Sequence, residues 1–328
     1  MAKKYKDQSR LQYVCSGGEA GQIFLVGILH VLPDPIADME SAVLDFRLGQ
    51  DRWDVEPIVQ AADYFVEYHS WFHCIVRDPA GTLYVGQESG YIRYANGKGT
   101  AVHLGMSIGM TGTVQCAYVR GVDDIVLGTC DGEIVPLQGD KATLHKVGTS
   151  RFEHITACLS RIHGIGPDFI VVVGDGGNIG CYRNGKWEKI RPPRNVKLEA
   201  VWCRSPTEIY IGGWNELAWR WNGADKWEPL TGQFKPSEEP GTNSQGFHDF
   251  AEYQGELYAA TSEYGIQKLQ GDAFVPVPKV KEEYVGRLFA TNIGLVGLGG
   301  VWGDEGSWFT LYDGERWRST QVKLKSAK

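Results

Sequence analysis

Carboxylates and large aromatics recur side by side along this chain of 328 residues, and they suit recognition chemistry better than any other residue set in it. Glu88, Asp131, Asp175, Glu216 and Glu263 each follow a short apolar run, as do Asp304 and Glu305, while Asp34, Asp38 and Glu40 form an acidic group near the start. Tyr68, Trp71, Trp214, Tyr264 and Trp302 accompany them. Rings of this size anchor a partner by filling its pockets. A negative field steers a basic partner and speeds its approach. Acids beside glycine also serve simply as turn formers, a role that accounts for them equally well.

Residues that would support catalysis converge less. His73, His154 and His248 lie in or beside apolar runs, but no H-x-H or H-x-x-x-H spacing joins the three and their offsets in the repeat described below differ. Core or channel histidines are expected there rather than metal ligands. Arg77, Arg120, Arg161 and Arg204 end successive apolar runs. They suit strand-end capping, or pairing with Asp78, Asp123 and similar acids, more than an anion site. Gly174-Asp175-Gly176-Gly177-Asn178 has the glycines of a phosphate loop without its lysine and helix. No G-x-S-x-G elbow occurs. Catalytic residues, metal ligands and cofactors are therefore not expected.

The elements that must position these residues are copies of one unit. A turn glycine recurs at Gly49, Gly97, Gly139, Gly185, Gly223, Gly271 and Gly314, at intervals of 48, 42, 46, 38, 48 and 43 residues. A period of this length marks a repeat architecture. Asn-Gly and Asp-Gly pairs at several of these turns supply the positive φ of a two-residue hairpin. Upstream lies a run rich in Val, Ile and Tyr, as at 81–86, 124–128, 208–212 and 256–260, which reads as a strand buried on both faces. Another apolar run precedes it, as at 72–76, 114–118, 156–159 and 200–203. A third strand (91–94, 217–221) and a fourth after the glycine turn complete the unit. Residues 34–40 read as one helical turn, capped by Asp34 with Pro35 in the first position.

Four strands per copy, stacked radially, resemble the β-propeller superfamily that includes WD40, YVTN and kelch-type repeats. Gly212-Gly213 with Trp221 and Trp227, and Gly299-Gly300 with Tyr312 and Trp317, are kelch-like, while no Gly-His…Trp-Asp signature recurs. The resemblance spans nearly the whole chain. It implies an all-β fold, a single seven-bladed β-propeller of four-stranded antiparallel blades. The blades fall at about 11–57, 70–103, 113–147, 154–191, 197–230, 247–278 and 285–323. Six blades are the alternative, should the first copy serve another purpose. In such a fold the loops after each second strand share a face with the connections between blades. That face gathers the long segments 30–41, 58–69, 104–112, 148–153, 229–246 and 299–307 together with the acids.

In a general way the chain is also similar to propeller-type immunity proteins of bacterial toxins. The likeness implies a cytoplasmic, non-catalytic inhibitor. It would bind a basic toxin domain one to one and block its active site through the acidic, aromatic face. The alternatives are a metal-dependent propeller hydrolase or lyase, and a glycan-binding lectin using Trp214, Trp219 and Trp302.

Charge and cysteines narrow the setting. Lys and Arg number 33 against 40 Asp and Glu, a net charge of −7, which disfavours a nucleic-acid partner. The seven cysteines (Cys15, Cys74, Cys116, Cys130, Cys158, Cys181 and Cys203) are odd in number and form no C-x-x-C, so reduced thiols in the cytoplasm are expected. No signal peptide is read at the start, and no apolar run approaches the ~18 residues of a membrane-spanning helix.

Overall fold

The structure, a computed structural model, describes residues 10–11, 16–17, 22–30, 39–48, 53–60, 73–96, 98–146, 157–223, 226–234, 245–262, 264–278, 284–291, 294–300 and 307–321. Before residue 73, and at 300, 307–308 and 320–321, it describes the backbone alone. The described strands pair antiparallel into seven sheets, each built from consecutive strands in chain order. The first sheet holds Gln22–His30, Met39–Leu48 and Trp53–Gln60, with the short strands Arg10–Leu11 and Ser16–Gly17 both on Gln22–His30. The helical turn expected at 34–40 lies outside the described residues up to 38. Its last two residues are corrected: Met39 and Glu40 sit in the strand Met39–Leu48, opposite His30 and Leu29, because the pairing with Gln22–His30 runs on as far as Met39.

The second strand of each sheet explains how the sheets stack. Val85, Ile125, Val172, Ile211 and Ala259 have no solvent exposure. In the fourth sheet, Ile170 and Val172 pack with Cys116, Val126 and Ile134 of the third. Val171 and Val173 point the other way and pack with Val201, Ile209 and Ile211 of the fifth. Successive side chains on a strand face opposite ways, so an uninterrupted apolar run is what a sheet covered on both faces needs. Glycine sets the approach distance. A Cβ added at Gly212 would lie 2.7 Å from Cβ of Phe247 and 2.8 Å from the Phe250 ring, both on the sixth sheet. The two-residue turn forms as expected at Asn184-Gly185, while Asn222-Gly223 and Asp313-Gly314 open loops of five and four residues between Trp221 and Trp227 and between Tyr312 and Trp317. Asn184 and Gly185 both take positive φ, 53° and 77°, between Ile179–Arg183 and Lys186–Lys189.

From the second sheet to the seventh, the first strands lie against one another in chain order. They also converge. Arg161 on the fourth sheet reaches Asp249 on the sixth at 2.9 Å, past the fifth sheet altogether. The backbone N–H of Leu288 on the seventh donates to the same carboxylate at 3.1 Å. Contact between sheets two apart requires the first strands to turn about a common axis.

Arg161 is therefore not equivalent to Arg120 and Arg204. Arg120 binds Asp124 at 2.8 Å, and Arg204 binds Glu208 and Glu252 at 2.9 and 2.7 Å, at the far ends of their strands. Arg161 lies near the start of its strand, facing the axis. Asp123 takes Arg93 at 2.7 Å. No disulfide joins the six described cysteines. Among the described residues no helix is long and apolar enough to cross a membrane.

The glycine requirement is testable. Gly212→Ala forces a methyl group against Phe247 and should cost about 1–3 kcal/mol in urea unfolding. An unchanged midpoint would show that the fifth and sixth sheets do not pack at this distance.

Candidate functional site

One backbone bond recurs in four sheets and builds a face. The N–H that follows the second strand donates to the carbonyl just before the first strand: Cys130 to Thr113 at 2.9 Å, Asp175 to Cys158 at 2.7 Å, Trp214 to Lys197 at 3.0 Å and Ser262 to Gly246 at 3.2 Å. Connections between sheets lean on the same turns. Leu104 N–H donates to Ser89 O at 2.8 Å, Gly177 N–H to Val196 O at 2.7 Å and Glu216 N–H to Gln245 O at 3.2 Å. The turns after second strands and the inter-sheet connections thus share one face, as expected from the sequence.

The candidate residues spread along this face. Glu88 and Asp131 are exposed, while Asp175, Glu216 and Tyr264 are half-buried. Trp214 is 37% exposed. Their places are not equivalent. The shared bond aligns Asp175 with Cys130, Trp214 and Ser262, so Asp131 falls one position later and Glu216 two later. The turns themselves differ: Gly176 and Gly177 take positive φ in one, Asn215 and Glu216 in another. Asp34, Asp38, Tyr68, Trp71, Glu263, Trp302, Asp304 and Glu305 lie outside the described residues, and the side chain of Glu40 is not described.

The face is also not uniformly acidic. Arg191 and Arg194 are exposed in the connection before the fifth sheet, and Lys197 ends it. Lys197 Nζ lies 2.7 Å from Glu199 and 4.7 Å from the centre of the Trp214 ring. Glu133, fully buried, accepts the backbone N–H groups of Thr111 and Gly112, each at 3.1 Å, and the Thr129 hydroxyl at 3.2 Å. It pins the connection that carries the short helix Leu104–Ile108, from which Met106 projects 90% exposed. Trp219, a candidate glycan platform in the sequence, is only 6% exposed and belongs to the core between the fourth and fifth sheets.

A register irregularity gathers polar side chains at the start of the first strands. Pairing skips one residue between Val114 and Cys116, Leu159 and Arg161, Leu198 and Ala200, and Phe247 and Asp249. The skipped residues are Gln115, Ser160, Glu199 and His248. A bulge leaves its extra residue unpaired and re-aims its side chain. His73 has the same place in the second sheet, preceding Cys74 opposite Gly86 as His248 precedes Asp249 opposite Ala260. The expectation of unlike offsets is thus corrected for these two, since the bulge conceals their shared register. Burial pushes the His73 imidazole below its ordinary pKa. His154 lies outside the described residues, as does His69, four residues before His73. Among the described residues no group of three His, Cys, Asp or Glu is placed to hold a metal ion.

Two bulge residues bond across neighbouring sheets. His248 Nδ1 lies 2.8 Å from Glu199 Oε2, and His248 Nε2 lies 2.9 Å from Ser262 Oγ. Tyr284, 37% exposed, packs its ring 5.1 Å from the imidazole. Burial works against ionisation of Glu199, but its bond to His248 and the nearby Lys197 overcome it and hold the carboxyl at about 2.

No protein-family model matches the chain, and no curated protein sequence does. Solved structures do. The WD40 β-propeller domain of Doa1 superposes with a TM-score of 0.63 at 8% identity, over 89% of this chain and 94% of that one. Virginiamycin B lyase from Staphylococcus aureus, a catalytically inactive form with quinupristin, gives 0.63 at 10% identity over 97% and 98%. YCF48 bound to D1 peptide gives 0.63 at 14% identity over 99% and 96%. At such identities the likeness is one of fold. With the antiparallel sheets and the converging first strands, it defines the chain as a β-propeller.

The pKa of Glu199 fixes a pH dependence. Its folded value, about 2, lies below the ordinary 4.5. The stability it contributes is present above 4.5 and drains away as pH falls toward 2. Glu199→Gln should lower stability at neutral pH and flatten the loss across that acid window, read by urea unfolding at stepped pH. Parallel profiles for the two proteins would contradict the assignment.

Proposed function

We propose that this chain is a protein-binding propeller, a ring of seven blades corresponding to the seven sheets, and that its long-loop face receives a peptide or extended segment of a partner. The observation that carries the reading is the placement of exposed apolar side chains. Of the five large exposed hydrophobics among the described residues, Met106, Trp214 and Tyr284 belong to this face, while Val122 and Ile165 sit singly on opposite-face turns. Exposed charges of both signs, Glu88, Asp131, Arg191 and Arg194, share the face. Aromatic anchors within a charged surround have the anatomy of an interface. YCF48, of similar fold, has a peptide bound, which adds support for this class of partner.

The narrower reading, a cytoplasmic immunity protein that blocks a basic toxin domain one to one, rests on a general likeness and on the acids and aromatics of this face. Arg191, Arg194 and Lys197 dilute the field that would steer such a toxin. A segment of mixed charge with an apolar anchor therefore suits the face better, and a basic toxin domain is the special case.

Selection of a displayed peptide library on the protein tests the reading. A selected peptide should lose about thirtyfold or more in affinity on Trp214→Ala, the size of an aromatic hot spot. Ile165→Ala should leave it unchanged. The reverse pattern would move the site to the opposite face.

A further inference from the structure

We propose that Ser262 is a nucleophile activated by His248 and Glu199, taking an acyl group from a small ester that docks between Trp214 and Tyr284. The three residues come from separate elements: Glu199 from the first strand of the fifth sheet, His248 from the same bulge position on the sixth, and Ser262 from the turn after Glu256–Thr261. No sequence motif joins them, and the fold alone brings them into one chain of hydrogen bonds.

The direction of the bonds follows from donor and acceptor chemistry. An ionised carboxylate only accepts. Glu199 at 2.8 Å therefore requires the imidazole proton on Nδ1, and in the neutral imidazole Nε2 then carries the lone pair that faces Ser262 Oγ at 2.9 Å. The Gly246 N–H donates to the same Oγ at 3.3 Å. An unprotonated Nε2 can only accept, so the hydroxyl gives it its proton and takes the Gly246 N–H on a lone pair. The order is nucleophile, base and orienting carboxylate, which recurs on unrelated folds and is recognised by geometry. The bulge at His248 aims the ring, and Tyr284 packs on it at 5.1 Å. Lys197 bonds the free side of Glu199, its Oε1, at 2.7 Å and leaves Oε2 to the histidine.

The flanks choose the substrate class. Tyr284 packs on His248, and Trp214 packs on Lys197, the partner of Glu199; both rings are exposed, so an ester with an apolar or aromatic leaving group fits best. In the reaction Oγ bonds to the carbonyl carbon and the bond to the leaving oxygen breaks. The serine proton passes to Nε2 and then to the departing alkoxide. Water next attacks the acyl-serine, returns a proton through His248 and releases the acid, with no further co-reactant.

The test treats the full-length protein with an alkyl fluorophosphonate, which forms a serine–phosphorus bond, expels fluoride and passes the hydroxyl proton to the base. Mass mapping should find the adduct on Ser262. Labelling should slow at least about a hundredfold in His248→Gln, the scale of a lost general base, and at least about tenfold in Glu199→Gln. p-Nitrophenyl acetate turnover should disappear in Ser262→Ala. Thermal melts report whether each variant folds. Should His248→Gln fail to fold, the wild-type adduct and Glu199→Gln carry the test. No adduct on Ser262 at concentrations that label a control serine hydrolase, or equal labelling of wild type and a folded His248→Gln, would overturn the proposal and leave a clasp between two sheets. Peptide affinity and its sensitivity to Trp214→Ala are separate readouts, so failure here is distinguishable from failure of the binding role.

Discussion

Asp249 places a carboxylate where three sheets meet, and donors from three strands close on it. The guanidinium of Arg161 comes from the fourth sheet at 2.9 Å, the N–H of Leu288 from the seventh at 3.1 Å, and the N–H of Phe250 from its own strand at 3.0 Å. Burial pushes this carboxyl pKa up, and all three donors oppose that shift. A charge in such surroundings is tolerated only when its lone pairs are taken. Asp249 therefore fixes where the first strands stand, and the strands fix everything else near the axis.

The side chains at the chemical centre of the face depend on this arrangement. Where the first strands converge, one extra residue at the start of four of them has no partner in its own sheet. Gln115, Ser160, Glu199 and His248 occupy those positions, and His73 shares their register. Glu199 and His248 can bond only because adjacent sheets present the same register position to each other. The apolar second strands hold the sheets at that spacing, with glycine where the neighbouring sheet comes closest, as Gly212 meets Phe247. A rigid frame of this kind lets the outer connections vary, and Met106, Trp214 and Tyr284 are all placed by such connections and turns.

What the sequence disclosed follows from local rules. The uninterrupted run Ile170–Gly174 can be satisfied only by a strand covered on both faces, and it is buried throughout. The pair Asn184-Gly185 supplies two positive φ values that few other pairs tolerate, so the hairpin is legible from two letters. The shared face of turns and connections follows from the antiparallel order. The site was less legible. Glu88, Asp131, Trp214 and Glu216 do lie on the face, but their offsets depend on the conformation of each turn, which the residue types leave open. Arg191 and Arg194 are hidden among prolines in a connection that shows no pattern. The Glu199–His248–Ser262 chain is the furthest from sequence, because a one-residue bulge carries no compositional mark. A polar residue after the first apolar position of four inner strands (Gln115, Ser160, Glu199, His248) is the one signal that would have exposed it.

The convergence of non-adjacent sheets is tested most directly by a double-mutant cycle on Arg161→Met and Asp249→Asn, read by urea unfolding. Each single change strands a buried partner and should cost about 3–5 kcal/mol. The double variant should lose at least about 1 kcal/mol less than the sum, since the two side chains share one interaction. Additivity within about 0.5 kcal/mol would show that the fourth and sixth sheets do not meet, and the axis would have to be abandoned.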